Sequence, residues 1–164
     1  MPYTPSYAAG DVLTAAAMNS IGEAWSSFGT TANFKAVTTN PTLGTGGTWS
    51  MLYSQINKLV TVRGRITWGG ASRNLGSGKY RIDLPVTAKT GHNQAIGTGA
   101  IVDVLALAYG AQVLLSSTTQ AAFWFPEING ALSTLWLTEL GSADAPFTFG
   151  DGDYIDYTFT YEAA

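Results

Sequence analysis

Two stretches of strictly alternating residues constrain the fold of this chain more than any other feature. In residues 59–68, valine, isoleucine and tryptophan alternate with threonine and arginine. In residues 154–161, every second position is apolar or aromatic. A period of two is typical of strands that bury one face, so both stretches are predicted to be half-buried β-strands. Gly64 falls on the apolar face, which predicts a β-bulge or a large neighbouring side chain there.

Shorter segments of similar character, separated by turns rich in glycine, proline and asparagine, bring the number of predicted strands to about eight. They are residues 48–53, 80–84, 100–107, 112–116, 121–125 and 132–138. Many short strands with one helical segment predict a mostly β protein, an antiparallel β-sandwich with a jelly-roll-like arrangement. A chain of 164 residues is long enough for one such domain, and it shows no internal repeat.

The first 30 residues have a different character. Residues 1–12 contain two prolines and little periodicity, which predicts an extended arm. Thr14 is a suitable N-cap for the alanines that follow, and apolar residues then recur at spacings of three, four and three, as on one face of a helix that ends at Gly29. The members of this apolar stripe are Met18, Ile21, Trp25 and Phe28.

This pattern predicts two regions, an N-terminal arm with an anchoring helix in residues 1–30 and a β-sandwich domain in residues 31–164. We expect the apolar stripe to contact other subunits or a larger assembly. Packing of the helix on its own domain is the alternative, because the stripe is shorter than two heptads and cannot specify a coiled coil by itself.

The composition narrows the classes of partner. Charged residues make up only 12% of the chain while 46% is hydrophobic, so a monomer would expose much neutral and apolar surface. Burial between subunits removes such surface, which favours a homo-oligomer. A net charge of −3 gives no basic surface for nucleic acid. We expect no membrane insertion, since the apolar run in residues 100–108 is too short to span a bilayer.

Residues that could carry catalysis or bind a metal are few. His92 is the only histidine and there is no cysteine, so a histidine-based triad or a thiolate metal site lacks its partners. Residues 150–156 contain three aspartates, but they lack the length and the closing glutamate of an EF-hand loop, and a Gly/Asp turn is the preferred interpretation. We expect no catalytic residues, no cofactor and no metal.

Two further sets of residues leave alternatives open. Carboxylate pairs for glycoside hydrolysis could be drawn from Asp83, Asp103, Glu127 and Glu139, but nothing in the sequence selects a pair. The densest aromatic run is Phe123, Trp124 and Phe125. On alternating strand faces at least one of these rings is expected in the core, and an exposed ring could stack on a sugar or seal a subunit contact.

Several segments resemble one group of proteins. Residues 7–19 resemble the "GDVLTAADMN" start of many tailed-bacteriophage virion proteins, and residues 39–44 resemble their "NPxlG" segment. Residues 76–86 are similar to their "GsGxyxxxLPv" strand, and residues 147–164 to their "PfxwxxGDxixxxgtYe" terminus. Ala17 departs from this pattern, which usually has an acidic residue there. The resemblance covers nearly the whole chain.

The resemblance implies a non-enzymatic structural protein of an actinobacteriophage-like virion, assembled in the host cytoplasm. The expected partners are further copies of the chain, as a homotrimer, and other virion proteins such as the major capsid protein or tail proteins. Capsid decoration or cementing is the first expectation. A minor tail or fibre-like protein that binds the host surface, through a surface glycan, is the alternative, and a glycan-degrading enzyme is a more distant one.

Overall fold

The computed structural model describes residues 25–89, 94–129 and 134–164, and within these ranges it is built almost entirely from antiparallel strands. The strands are β1 (Ser26–Ser27), β2 (Phe34–Ala36), β3 (Thr48–Ile56), β4 (Leu59–Thr67), β5 (Tyr80–Asp83), β6 (Ala95–Val102), β7 (Ala108–Leu115), β8 (Gln120–Asn129), β9 (Thr134–Glu139) and β10 (Tyr154–Glu162). A single turn of 3₁₀-helix, Thr31–Asn33, precedes β2. No helix in these ranges is long and apolar enough to cross a membrane.

The strands form one hydrogen-bonded sheet in the order β1-β3-β4-β10-β6-β7-β8-β5-β2, with β9 pairing with the second half of β8. The sheet is strongly curled. Phe123 of β8 lies three strands away from Tyr157 of β10, yet their ring centroids are only 5.5 Å apart across the interior. Neighbouring strands are spaced by ~4.8 Å, so such a contact requires the sheet to fold over its own core. The predicted mostly β, antiparallel, sandwich-like fold is therefore confirmed.

The two strands with the clearest alternation lie side by side in the centre of this sheet. Tyr154–Glu162 pairs along its whole length with Leu59–Thr67, and their inward residues are buried as the alternation predicts. Gly64 lies opposite Tyr157, and a methyl group on Gly64 would overlap the Tyr157 ring. The prediction of a large neighbour at Gly64 is confirmed, since this ring fills the space that the missing side chain leaves.

Glycines on both sides of β10 make room for a column of aromatic rings in the core. The inward residues of β10 include Tyr157 and Phe159, whose rings stack with their centroids 6.0 Å apart. On β6, the residues opposite them are Gly99 and Gly97, and a side chain on either glycine would overlap β10. Tyr157 therefore has a glycine opposite it on each neighbouring strand, whereas Phe159 has a glycine on β6 and Val62 on β4. These glycines leave room in the core for the large rings of β10.

The predicted helix is wrong for its last residues. Ser26–Ser27 pairs with β3 as an edge strand, and the Phe28 N–H donates to the Met51 carbonyl at 2.9 Å. The Trp49 indole N–H in turn donates to the Phe28 carbonyl at 3.0 Å. Hydrogen bonding to the open edge of β3 thus determines the conformation here, and the sheet begins before the predicted boundary at residue 31. Met18 and Ile21 lie outside the described residues.

The predicted strand at residues 100–107 is also wrong in its second half. β6 ends at Val102, and the chain turns at Asp103, whose carboxylate accepts the Leu105 N–H at 2.9 Å. An aspartate that binds the backbone two residues ahead stabilises a turn in preference to an extended strand. The apolar residues that follow Asp103 therefore lie in a loop at the end of the sheet.

Candidate functional site

Four strands, β3, β4, β10 and β6, present a continuous outer face to solvent. Their registers align the outward side chains in two neighbouring rows that cross the strands. The first row is Leu52, Arg63, Thr158 and Thr98, and the second is Ser50, Arg65, Asp156 and Ala100. A shallow groove of about 490 Å³ lies along these rows. We call it the outer-face groove, and its volume is within the range of roughly 300–1,000 Å³ that small-ligand sites occupy.

Each arginine of the outer-face groove is stacked on an aromatic ring. The guanidinium carbon of Arg63 lies 4.3 Å from the centroid of the Trp25 ring, and that of Arg65 lies 4.1 Å from the centroid of the Tyr154 ring. Stacking on a ring face holds the planar guanidinium in place while its edge keeps the N–H donors available. The two stacks give the groove two positioned cationic groups.

The two guanidinium groups differ in what they bind. Arg65 donates two hydrogen bonds of 2.6 Å to the two carboxylate oxygens of Asp156. This hydrogen bonding raises the pKa of Arg65 above its usual value. Arg63, in the described part of the chain, has the Trp25 ring as its contact and no carboxylate or carbonyl partner. Counting the described residues alone, two arginines and one carboxylate give the groove one uncompensated positive charge, although the whole protein carries −3.

The hydroxyl groups along the groove are similarly divided. The Thr158 hydroxyl donates to the Val62 carbonyl at 3.2 Å. The hydroxyls of Ser50 and Thr98 are exposed and have no partner among the described residues. The side chains of Leu52 and Ala100 contribute apolar surface to the same groove. Within the described ranges, the groove therefore combines two hydroxyls and one guanidinium that lack polar partners with nearby apolar area.

The second exposed feature is the loop between β6 and β7, Asp103–Leu107, which we call the apolar loop. Leu105 is 94% exposed, Leu107 62% and Val104 47%. The loop is nevertheless held by hydrogen bonds within itself, from the Asp103 N–H to the Leu107 carbonyl at 2.9 Å and from the Leu105 N–H to the Asp103 carboxylate. Its apolar side chains are thus presented to solvent by a fixed backbone.

A buried carboxylate ties the apolar loop to the start of β10. Asp153 is only 4% exposed, and it accepts the Val104 N–H at 3.1 Å and the Gly150 N–H at 2.6 Å. Asp153 belongs to the aspartate cluster at residues 150–156, and its two bonds are those of a structural turn. Asp156 of the same cluster pairs with Arg65. Among the described residues no group of three or more histidine, cysteine or acidic side chains could hold a metal ion.

The four carboxylates considered for glycoside hydrolysis all have structural partners. Asp83 accepts hydrogen bonds from Asn33 and Gln120 and pairs with Lys35 at 2.6 Å. The other partners are Arg81 for Glu139, the Thr138 hydroxyl for Glu127 and the Leu105 N–H for Asp103. His92 lies outside the described residues.

The aromatic run on β8 lies largely in the core. Phe123 and Phe125 are 0% and 3% exposed, so neither ring can meet a ligand at the surface. The expectation that at least one ring is in the core is met, and Trp124, on the opposite face of β8, is half-buried. Of the apolar stripe, Trp25 stacks under Arg63, and Phe28 packs edge-on against Tyr53 with centroids 6.4 Å apart.

Sequence reasoning did not identify either surface feature. The alternation in residues 59–68 placed Arg63 and Arg65 on the solvent face, which was the available signal for the groove. The strands beside them, and the rings beneath them, depend on pairing over long sequence distances. No family model, curated protein or solved structure matches the chain. The resemblance to tailed-phage virion proteins therefore stays a prediction from the sequence.

Proposed function

We propose that this protein is a non-enzymatic structural component of a bacteriophage particle, which decorates or cements the capsid surface as a homotrimer. The resemblance of residues 7–19 and of three later segments to virion proteins supports the class. The observation that carries the assembly role is the apolar loop, where a leucine is 94% exposed on a hydrogen-bonded backbone.

A fixed loop that exposes apolar side chains is suited to a permanent protein contact. Burying one leucine side chain contributes about 1.5–3 kcal/mol, and a backbone that is already ordered loses little entropy on association. We assign this contact to the neighbouring copies in the trimer. The N-terminal region then remains to attach the trimer to the particle.

The trimer contact is tested with the double variant Leu105→Ser, Leu107→Ser. Sedimentation of the wild-type protein should give a trimer, and the variant should sediment as a monomer of unchanged circular dichroism. Val37→Ser is a matched control, because Val37 is 66% exposed but lies after β2, outside the loop. A double variant that remains trimeric would contradict the assignment of the loop.

Attachment is tested by deletion of residues 1–24, a change that leaves all the described strands in the chain. The shortened protein should fold and form trimers but should not be incorporated when it is supplied to phage that lack their own copy. Deleting residues 1–28 is the wrong comparison, because it also removes β1 from the edge of β3. Normal incorporation of the 25–164 protein would place the attachment elsewhere.

The outer-face groove favours a second candidate, a minor tail or fibre-like protein that binds the host surface. In that role the groove, rather than the N-terminal region, would face the host. The two placements differ in copy number, because a capsid surface offers many equivalent positions and a tail offers few.

A further inference from the structure

We propose that the outer-face groove binds an acidic saccharide, with Arg63 recognising a carboxylate of the sugar. This binding does not depend on the proposed place of the protein in a particle. The charge of the groove is the first argument: Arg65 is neutralised by Asp156, while Arg63 has no anionic partner in the described part of the chain. A bound anion would complete this arrangement.

The geometry of Arg63 favours a carboxylate in particular. A guanidinium presents parallel N–H donors that match the two oxygens of a carboxylate. The Trp25 ring holds the Arg63 guanidinium at 4.3 Å, so the side chain is oriented before the ligand arrives. The same arginine–carboxylate pairing occurs in the neighbouring row, where Arg65 binds both oxygens of Asp156 at 2.6 Å.

The remaining groups of the groove favour a saccharide as the bearer of that carboxylate. The free hydroxyls of Ser50 and Thr98 can each donate and accept, as sugar hydroxyls require. Leu52 and Ala100 supply apolar area for the C–H faces of sugar rings. The groove crosses four strands and is therefore about 14 Å long, which suits a short linear chain better than a single small anion.

The test is isothermal titration calorimetry of the full-length protein with an oligogalacturonate. Three comparison probes separate the contributions: the methyl-esterified oligogalacturonate lacks the charge, a malto-oligosaccharide is neutral by nature, and inorganic phosphate is an anion without a sugar. We expect binding of the oligogalacturonate that weakens with added salt, and at least tenfold weaker binding of each comparison probe.

Variants assign the binding to the groove. Arg63→Gln should weaken binding by about tenfold or more, and Arg63→Lys should give an intermediate loss because the charge stays but the paired donors do not. Ser50→Ala with Thr98→Ala should weaken binding by several-fold without a change in the salt dependence. Lys58→Gln is the matched control, since it removes an exposed cation from the same β3–β4 hairpin outside the groove.

The proposal is overturned by any of four results. These are no binding of the oligogalacturonate, equal binding of its methyl ester, equal or tighter binding of phosphate, and unchanged affinity of a folded Arg63→Gln variant. Thermal denaturation establishes that the variant is folded. Failure of these experiments leaves the particle proposal intact, since that proposal rests on the apolar loop and on the resemblance to virion proteins.

Discussion

The apolar loop and the outer-face groove are built on the same strands but have opposite chemistry. The groove crosses the middle of β6 and β10, and the loop continues from the end of β6 and is tied to Asp153, just before β10. The loop binds its own backbone polar groups and exposes leucines. The groove, by contrast, has two hydroxyls and a guanidinium without a polar partner among the described residues. A surface of the first kind suits permanent burial in protein, and one of the second kind suits a hydrated ligand.

Both regions depend on the core beneath them, so a substitution that destabilises the core should abolish the proposed interactions of both. A side chain on Gly97 would overlap the backbone of Thr158 and the side chain of Phe159. We expect Gly97→Ala to lower the free energy of unfolding by about 3 kcal/mol, because neither strand can move without disturbing its other partner. Urea denaturation measures this change, and the proposed trimer formation and saccharide binding should be lost together near the new midpoint.

Gly110→Ala is the control for that variant. Gly110 is also a strand glycine, but an added methyl group would meet nothing within 4 Å. Its replacement should be neutral or should stabilise the protein by up to about 1 kcal/mol, because alanine lowers the conformational entropy of the unfolded chain. Equal destabilisation by the two variants would show that the close contact of β6 with β10 is not the cause.

A variant at Asp153 should separate the two regions. Asp153→Ala leaves the Val104 and Gly150 N–H groups without their acceptor, and we expect a loss of about 2 kcal/mol in the free energy of unfolding. The apolar loop loses its hydrogen bond to Asp153, so the proposed trimer should dissociate at a higher protein concentration than the wild-type trimer does. The proposed saccharide binding in the groove should stay unchanged. Asp151→Ala, at an exposed position in the same turn, should stay within about 0.5 kcal/mol of wild type. If Asp153→Ala also lost saccharide binding, the apolar loop and the outer-face groove would not be independent of each other.

Alkaline pH should lower the free energy of unfolding through buried tyrosines of the core and not through the apolar loop. Burial raises the pKa of Tyr80, Tyr157 and Tyr161 above their usual value. Because the unfolded chain releases these protons near pH 10 and the folded chain keeps them, the stability present below pH 10 should fall as the pH rises further, by about 1.4 kcal/mol per pH unit for each tyrosine.

Tyr157→Phe tests the alkaline effect at one position. The Tyr157 hydroxyl is buried without a hydrogen-bond partner in the described structure, so its removal should leave stability unchanged or slightly higher at pH 7. The advantage of the variant over wild type should grow between pH 10 and pH 11. If the difference between the denaturation midpoints of the variant and the wild type stays constant from pH 10 to pH 11, the alkaline effect does not come from this buried tyrosine.

A variant in the groove itself should change stability only slightly. Asp156→Asn removes an exposed ion pair with Arg65, which should cost less than about 1 kcal/mol. The same change frees Arg65 and raises the positive charge of the groove, so oligogalacturonate should bind more tightly. Calorimetry measures binding in the groove and sedimentation measures the proposed trimer, which should be unaffected. Weaker binding in this variant would mean that Asp156 itself contacts the ligand.

The sequence predicted the parts of the fold that depend on local pattern. Strict alternation identified β4 and β10. The missing side chain at Gly64 predicted a bulge or a large neighbour, and the structure places the ring of Tyr157 there. Local pattern was misleading where the backbone forms hydrogen bonds that the pattern does not show. The spacing of Trp25 and Phe28 is helical, yet the open edge of β3 binds this segment, and an apolar run continued past Asp103 although that carboxylate turns the chain.

The candidate site could not be predicted for a different reason. The outer-face groove needs β3 and β6, which are far apart in sequence, to lie on either side of β4 and β10. Its two rows of side chains exist only in this strand order. The solvent face of single strands was predictable from alternation, but the identity of neighbours across the sheet was not.

Quantitative mass spectrometry of purified phage particles tests the central claim most directly. The proposed role predicts that the protein is present in a fixed ratio to the major capsid protein, in multiples of three, and at a copy number comparable with that of the shell subunits. A handful of copies per particle would favour the tail placement over capsid decoration. Absence of the protein from intact, infectious particles would contradict the structural role altogether.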